Sequence, residues 1–185
     1  MTKKIGLLIG SLREGSYTRA VAEQMAAQLP EGYEVKQIEI GNLPFYNQDF
    51  DDKNQVPEIW QKFRDEIKPL DGIIFATPEY NRSVPAVLKN AIDVGSRPYG
   101  QSVWDGKPAV ILSVSTGAIS GFGANHHLRQ SLTFLNMPVV QQPELYIGNV
   151  TNLLDDQLKI TNEGTLKFLK SGMTTFADLV QRFEN

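Results

Sequence analysis

The stretch Gly10-Ser11-Leu12-Arg13-Glu14-Gly15-Ser16-Tyr17-Thr18 decides how the chain is read. Ahead of it runs Ile5-Gly6-Leu7-Leu8-Ile9, a short apolar run of the kind that forms a strand buried on both faces. Behind it Val21, Met25 and Leu29 recur every fourth residue, the spacing of an amphipathic helix. Strand, tight turn and helix make half of a βαβ unit. The turn sits where backbone N–H groups and the positive end of the helix dipole converge on an anion. Four hydroxyls (Ser11, Ser16, Tyr17, Thr18) and the Arg13 guanidinium add donors to that concavity. It reads as a phosphate cradle; the plainer alternative is an ordinary turn with a Ser or Thr N-cap.

What the loop lacks narrows the phosphate. Gly10 and Gly15 have the glycine spacing of a triphosphate-binding loop, but Ser16 and Tyr17 stand where its Lys and Ser/Thr belong. The dinucleotide fingerprint G-x-G-x-x-G fails as well, because Ser11 and Leu12 follow Gly10. One terminal phosphate monoester, wrapped by hydroxyls and neutralised by a single arginine, suits what remains. A mononucleotide such as FMN fits that description.

At 185 residues the chain has the length of one domain with a full core, expected to span 1–185. A net charge of −3 gives no electrostatic footprint for nucleic acid or an anionic membrane. The absence of cysteine excludes disulfides, thiolate nucleophiles, iron–sulfur clusters and Cys-based zinc sites. Met1-Thr2-Lys3-Lys4 leads directly into a strand, with no signal-peptide core and no membrane-length apolar run, so a cytoplasmic protein is expected.

Further strands are expected at Val35–Ile40, Asp71–Thr77 and Ala109–Val114, with a shorter fifth that begins at Pro138, breaks at Pro143 and resumes at Leu145–Ile147. Between them fall helices carrying Trp60, Phe63 and Ile67; Leu88, Ala91 and Ile92; and Leu128, Leu132 and Leu135. A last helix bears Leu166, Leu169, Met173, Phe176, Val180 and Phe183. Residues 41–54 read as a polar loop whose Leu43-Pro44-Phe45-Tyr46 is either a packing plug or a lid, and 95–106 as a surface excursion. The β-α alternation predicts an α/β protein with a parallel sheet covered by helices on both faces. Its order is expected to be the flavodoxin-like 2-1-3-4-5, which binds ligands at the carboxyl ends of strands one, three and four. All three ends carry binding-loop chemistry: the cradle, Pro78-Glu79-Tyr80-Asn81 and Ser115-Thr116-Gly117.

Taken together, Gly10-Ser11-Leu12-Arg13 with Ser16, then Pro78-Glu79-Tyr80-Asn81 followed by Ser83, Pro85 and Leu88-Lys89-Asn90-Ala91-Ile92-Asp93, resemble the NADPH-dependent FMN reductase family, nearest its chromate and quinone reductase branch. Leu43-Pro44-Phe45-Tyr46-Asn47 and His127-Leu128-Arg129-Gln130 fit the same pattern, so the resemblance spans nearly the whole chain. Two departures stand out: Thr18, where the family often has Asn, and Ala118-Ile119 between Gly117 and Gly121.

The resemblance implies bound FMN, NADPH or NADH as electron donor, and a homodimer or homotetramer. It implies that Ser11, Arg13, Ser16, Tyr17 and Thr18, in a loop completed by Leu12, Glu14 and Gly15, hold the phosphate. Pro78, Glu79, Tyr80 and Asn81 would run along the isoalloxazine, and Ser115, Thr116 and Gly117 would close its other side. The expected reaction is hydride transfer from NAD(P)H through flavin N5 to a small-molecule acceptor such as a quinone, free flavin, azo compound or chromate. No catalytic side chain is nominated, since the chemistry belongs to the cofactor. The rival readings are a flavodoxin-type electron carrier without NAD(P)H activity and a non-catalytic nucleotide-binding regulator.

Five other features have two readings each. His126-His127 suggests a metal, but neighbours on a helix point apart, which favours helix surface or a subunit contact; no metal is expected. Glu79 is an acid/base candidate or, more plainly, a solvated loop carboxylate, and Tyr80 stacks on a ligand or meets a neighbouring subunit. Arg82 and Arg97 are candidates for an NADPH 2′-phosphate or solvated surface cations. Glu144 reads as an interface residue or a loop charge.

Overall fold

The computed structural model describes residues 2–183. Five strands form an all-parallel sheet in the order β2-β1-β3-β4-β5: β1 (Lys3–Ile9), β2 (Tyr33–Gln37), β3 (Gly72–Thr77), β4 (Ala109–Val114) and β5 (Leu145–Ile147). This is the expected flavodoxin-like order. The connecting helices are α1 (Tyr17–Ala26), α2 (Gln48–Asp52), α3 (Glu58–Ile67), α4 (Ala86–Gly95), α5 (Phe122–Phe134) and α6 (Glu163–Arg182).

Strand side chains alternate between faces, and that period sorts the core into two layers. Ile5, Leu7 and Ile9 of β1, Ile74 and Ala76 of β3, and Val110 and Leu112 of β4 pack under α1 and α6. Leu8, Ile73, Phe75 and Ile111 face the opposite way, under α3, α4 and α5. Every residue of β3 and β4 is buried, which explains their unbroken apolar runs. In register Ile9 pairs with Ala76, Thr77 with Ser113 and Val114 with Ile147, so the strand tips end in line and their loops emerge along one edge.

Four expectations are corrected. The second strand stops at Gln37; Ile38 and Ile40 are buried beyond its end, where the Ile38 N–H still donates to Leu7 O at 3.0 Å. Residues 41–54 are not all loop, because Asn47 caps the short helix α2 by accepting from Asp49 N at 3.0 Å. Nor is 95–106 a surface excursion throughout. Trp104 is fully buried, its indole N–H donating to Ile92 O at 2.9 Å, and Val103 is buried beside it. On α6 the apolar stripe is buried at Leu169, Met173, Phe176 and Val180, but Phe183 lies past the helix end and is exposed.

Most of the Leu43–Tyr46 stretch is a plug. Leu43 is buried, and Tyr46 stacks on Trp60 with ring centroids 5.4 Å apart. Asn90 accepts from Tyr46 N at 2.8 Å and donates to Leu43 O and Pro44 O at 3.1 Å, while Phe45 points outward. Beneath the plug lies a buried ion pair. Arg64 donates to both Asp51 oxygens at 2.8 and 3.0 Å and to Val94 O at 3.0 Å, joining α2, α3 and the end of α4.

Candidate active site at the strand tips

The tips of β1, β3 and β4 enclose a cavity of about 300 Å³. At one end the chain leaves β1, and the Gly10 N–H donates to Ala76 O at 2.8 Å, which fixes the cradle against β3. Gly15, at φ 61°, turns the chain into α1. Ser16 then caps the helix, its hydroxyl accepting from Arg19 N at 3.1 Å. The N-cap and the cradle are therefore the same turn: one hydroxyl is used by the helix and the others are left over. Ser11 and Thr18 are nearly buried, line the cavity and make no side-chain hydrogen bond within the described residues. Arg13 donates to Gly15 O at 2.8 Å, and its guanidinium lies 5.0 Å from the Tyr17 ring centroid. No acidic residue stands in the first turn of α1 to compete for its N-terminus.

The middle of the cavity is lined by Pro78, Glu79 and Tyr80. Glu79 is not a solvated loop carboxylate. Its side chain is 11% exposed, accepts from Arg82 at 3.3 Å and from the Ala124 N–H, in the first turn of α5, at 3.2 Å. That helix has Gly121 at its N-cap, with no side-chain hydrogen bond of its own, so a carboxylate from the β3–α4 loop does the capping. The contact needs Gly123, where a Cβ would stand 2.6 Å from Arg82 O. Asn81 and Arg82 are both left-handed (φ 50° and 66°) and close the turn, with Tyr80 and Ser83 exchanging backbone hydrogen bonds at 3.0 Å. Tyr80 is half exposed at the rim.

Ser115 and Thr116 supply the remaining wall with Val114 and Val150. Of the residues expected at the site, Leu12, Glu14, Gly15, Asn81 and Gly117 do not line the cavity. Leu12 instead abuts Gly41, Glu14 is exposed, and Gly117 donates to Ser115 Oγ at 3.1 Å behind the wall. Val114 and Val150 were missed. The sequence signal for Val150 is the turn pair Gly148-Asn149 directly after β5, a fourth strand tip beside those of β1, β3 and β4.

The other candidates lie outside. Arg82 points to solvent, and Arg97 lies in a separate cleft with Tyr46 and Asp51. His126 and His127 do point apart, Nε2 of the first lying 3.1 Å from the Tyr146 hydroxyl and Nδ1 of the second 2.9 Å from Ser83 Oγ. Burial, and after it the Glu144 carboxylate, pushes the Tyr146 phenol up to about 12. Glu144 is paired within the chain, 3.5 Å from Arg129.

The lining fits FMN by its donor set. Free hydroxyls, a guanidinium and an uncompeted helix N-terminus occupy one end, suited to a phosphate, and backbone-rich loops the other, suited to a flat ring. Glu79 is the single carboxylate among the lining residues, which include no His, Lys or Cys. Such a lining can hold and orient a cofactor but contains no nucleophile–base pair.

The sequence pattern described as NADPH-dependent FMN reductase matches residues 3–152. A quinone reductase of Pseudomonas putida is 52% identical over 177 residues, covering 96% of this chain and 94% of that protein. A 2-hydroxy-1,4-benzoquinone reductase of a Burkholderia species is 41% identical over 181 residues, 98% of both chains. Among solved structures, FerB, a flavoenzyme NAD(P)H:(acceptor) oxidoreductase of Paracoccus denitrificans, superposes with a TM-score of 0.90 at 33% identity, covering 98% of this chain and 99% of that one.

Proposed function

The chain belongs to the NADPH-dependent FMN reductase family, and we propose from that membership that the strand-tip cavity is its FMN site. The protein is an oxidoreductase that uses FMN and draws electrons from NAD(P)H for a small-molecule acceptor. When bound, FMN supplies the centre that takes and gives hydride. The chain's own residues bind and orient. Ser11, Thr18 and Tyr17 present hydroxyls to the phosphate, Arg13 offsets its charge, and the α1 N-terminus adds backbone donors. Glu79, tied to α5, fixes the loop whose backbone runs beside the ring, and Ser115 and Thr116 bound the other side. The observation that carries this assignment is that Ser11 and Thr18, nearly buried residues, line the cavity with Arg13 and have hydroxyls without a partner among the described residues.

Quinones are the proposed acceptors, because relatives at 52% and 41% identity are named as reductases of quinone and of 2-hydroxy-1,4-benzoquinone. The same names favour an enzyme over an electron carrier or a regulator. Purified protein loaded with FMN is expected to lose its yellow colour within seconds of anaerobic NADPH or NADH, and to regain it when a benzoquinone is added. Persistent colour with both nicotinamides would sink the reductase reading. The proposal extends to a cytoplasmic homodimer or homotetramer. Phe45, Tyr99 and Phe134 are more than three-quarters exposed, apolar surface that a second copy would cover. Light scattering is expected to give a multiple of the 20.6 kDa chain mass; a monomer would refute that part alone.

A further inference from the structure

The wall contributed by β5 is laced to the neighbouring loop by its backbone. Ser115 N donates to Ile147 O at 2.9 Å, Val150 N to Ser115 O at 3.2 Å and Asn149 N to Gly117 O at 3.3 Å. Among these bonds Gly148 lies flat against the loop. A Cβ on Gly148 would run into Ser120 Oγ and would stand 2.9 Å from Gly117 O and 3.2 Å from Ala118 O. The hydroxyl can rotate away, but the two carbonyls are backbone. The φ of Gly148 lies outside the left-handed region, so a side chain there acts through contact and not through backbone strain.

The same segment also borders the turn into α1, where Gln157, Leu158 and Lys159 share a cleft with Gly15 and Ser16. After Val150 the chain runs to Ile160, where Gln24 of α1 holds it with two bonds: its amide donates to Leu158 O at 3.0 Å and its oxygen accepts from Ile160 N at 2.9 Å. One continuous segment thus touches the loop that bounds the ring end and the helix whose N-terminus forms the cradle.

We propose that residues 147–160 brace the cofactor cavity, setting the spacing between its phosphate and ring ends, and that Gly148 is the positioning residue at the ring end. This rests on the FMN assignment above. The bare surface of Gly148 lets Gly117 and Ala118 pack against it, and their loop carries Ser115 and Thr116 of the cavity wall. An added methyl drives that loop forward, where Ser115 and Thr116 take up ring space. Ser11, Arg13 and Thr18 are left as they were.

The test titrates the apoprotein with FMN and with riboflavin, which carries the ring without the phosphate. Gly148→Ala is expected to weaken both by at least about tenfold and by equal factors, the scale on which an inserted methyl disturbs a packed wall. Adding Ser120→Ala removes the nearest obstacle and is expected to restore part of the loss for both flavins. Binding within about twofold of wild type, or a loss confined to FMN, would overturn the proposal. So would failure of both variants to fold, seen by circular dichroism, since Gly148 would then serve the core. Wild-type protein that takes up no FMN would overturn the cofactor assignment itself, a different result from an unaffected variant.

Discussion

Arg13→Ala is expected to lower FMN affinity by about one to two orders of magnitude, the cost of losing a charge-assisted hydrogen bond of roughly 1.5–3 kcal/mol, while riboflavin binds as before. The arginine is held in place before any ligand arrives. It donates to Gly15 O at 2.8 Å and lies over the Tyr17 ring, so little side-chain freedom remains to be lost when phosphate binds. Because Arg13 is exposed, salt should screen its contribution, and the gap between wild type and variant should narrow as ionic strength rises. Arg13→Lys keeps the charge but not the planar fork, and should fall between the two. Flavin fluorescence titrations read all three. An unchanged FMN affinity in the alanine variant would place the phosphate elsewhere. The selective loss of FMN here contrasts with the equal loss of both flavins expected at Gly148, so the two variants report on opposite ends of one cavity.

How much of this was legible in the sequence depends on the range of the contacts involved. Ile5–Ile9, Gly72–Thr77 and Ala109–Val114 could be read because strands buried on both faces are apolar throughout. The cradle could be read because its chemistry is contiguous. The place of Glu79 at the site could be read, but not its capping of α5, since the partner is a backbone N–H 45 residues further on, and a backbone group leaves no mark in the sequence. Trp104 was misplaced for a similar reason. The Pro and Gly around it signal a loop, whereas its burial depends on Phe63 and Phe75, whose rings lie 6.1 and 5.8 Å away on other elements. Val150 follows a strand of only three residues, too short for periodicity to announce its tip.

Asp51→Ala is expected to destabilise the protein by about 3–5 kcal/mol, the range for breaking one side of a buried ion pair, and to lower Tm by roughly 10 °C in a chain of this size. Both side chains of the Asp51–Arg64 pair are only 4% exposed, so water cannot replace the lost carboxylate. Arg64 would keep its bond to Val94 O and its place 5.6 Å from the Trp60 ring centroid, but its charge would be uncompensated. Arg64→Met strands Asp51 in the same way and should cost a similar amount. Asp51→Leu with Arg64→Met removes both charges and fills the space, and should recover most of the loss. The phenol of Tyr46 gives a second readout. Burial, and after it the Asp51 carboxylate, raises its pKa above the ordinary value, so removing Asp51 should lower it, seen by ultraviolet titration. Neither charged residue lines the cofactor cavity, and FMN affinity should therefore stay within about twofold of wild type while Tm falls. Equal Tm values for wild type and the two single variants would mean that the remaining charge reaches water and is not stranded, leaving the Trp60–Tyr46 stack and Asn90 to hold α2 against the core.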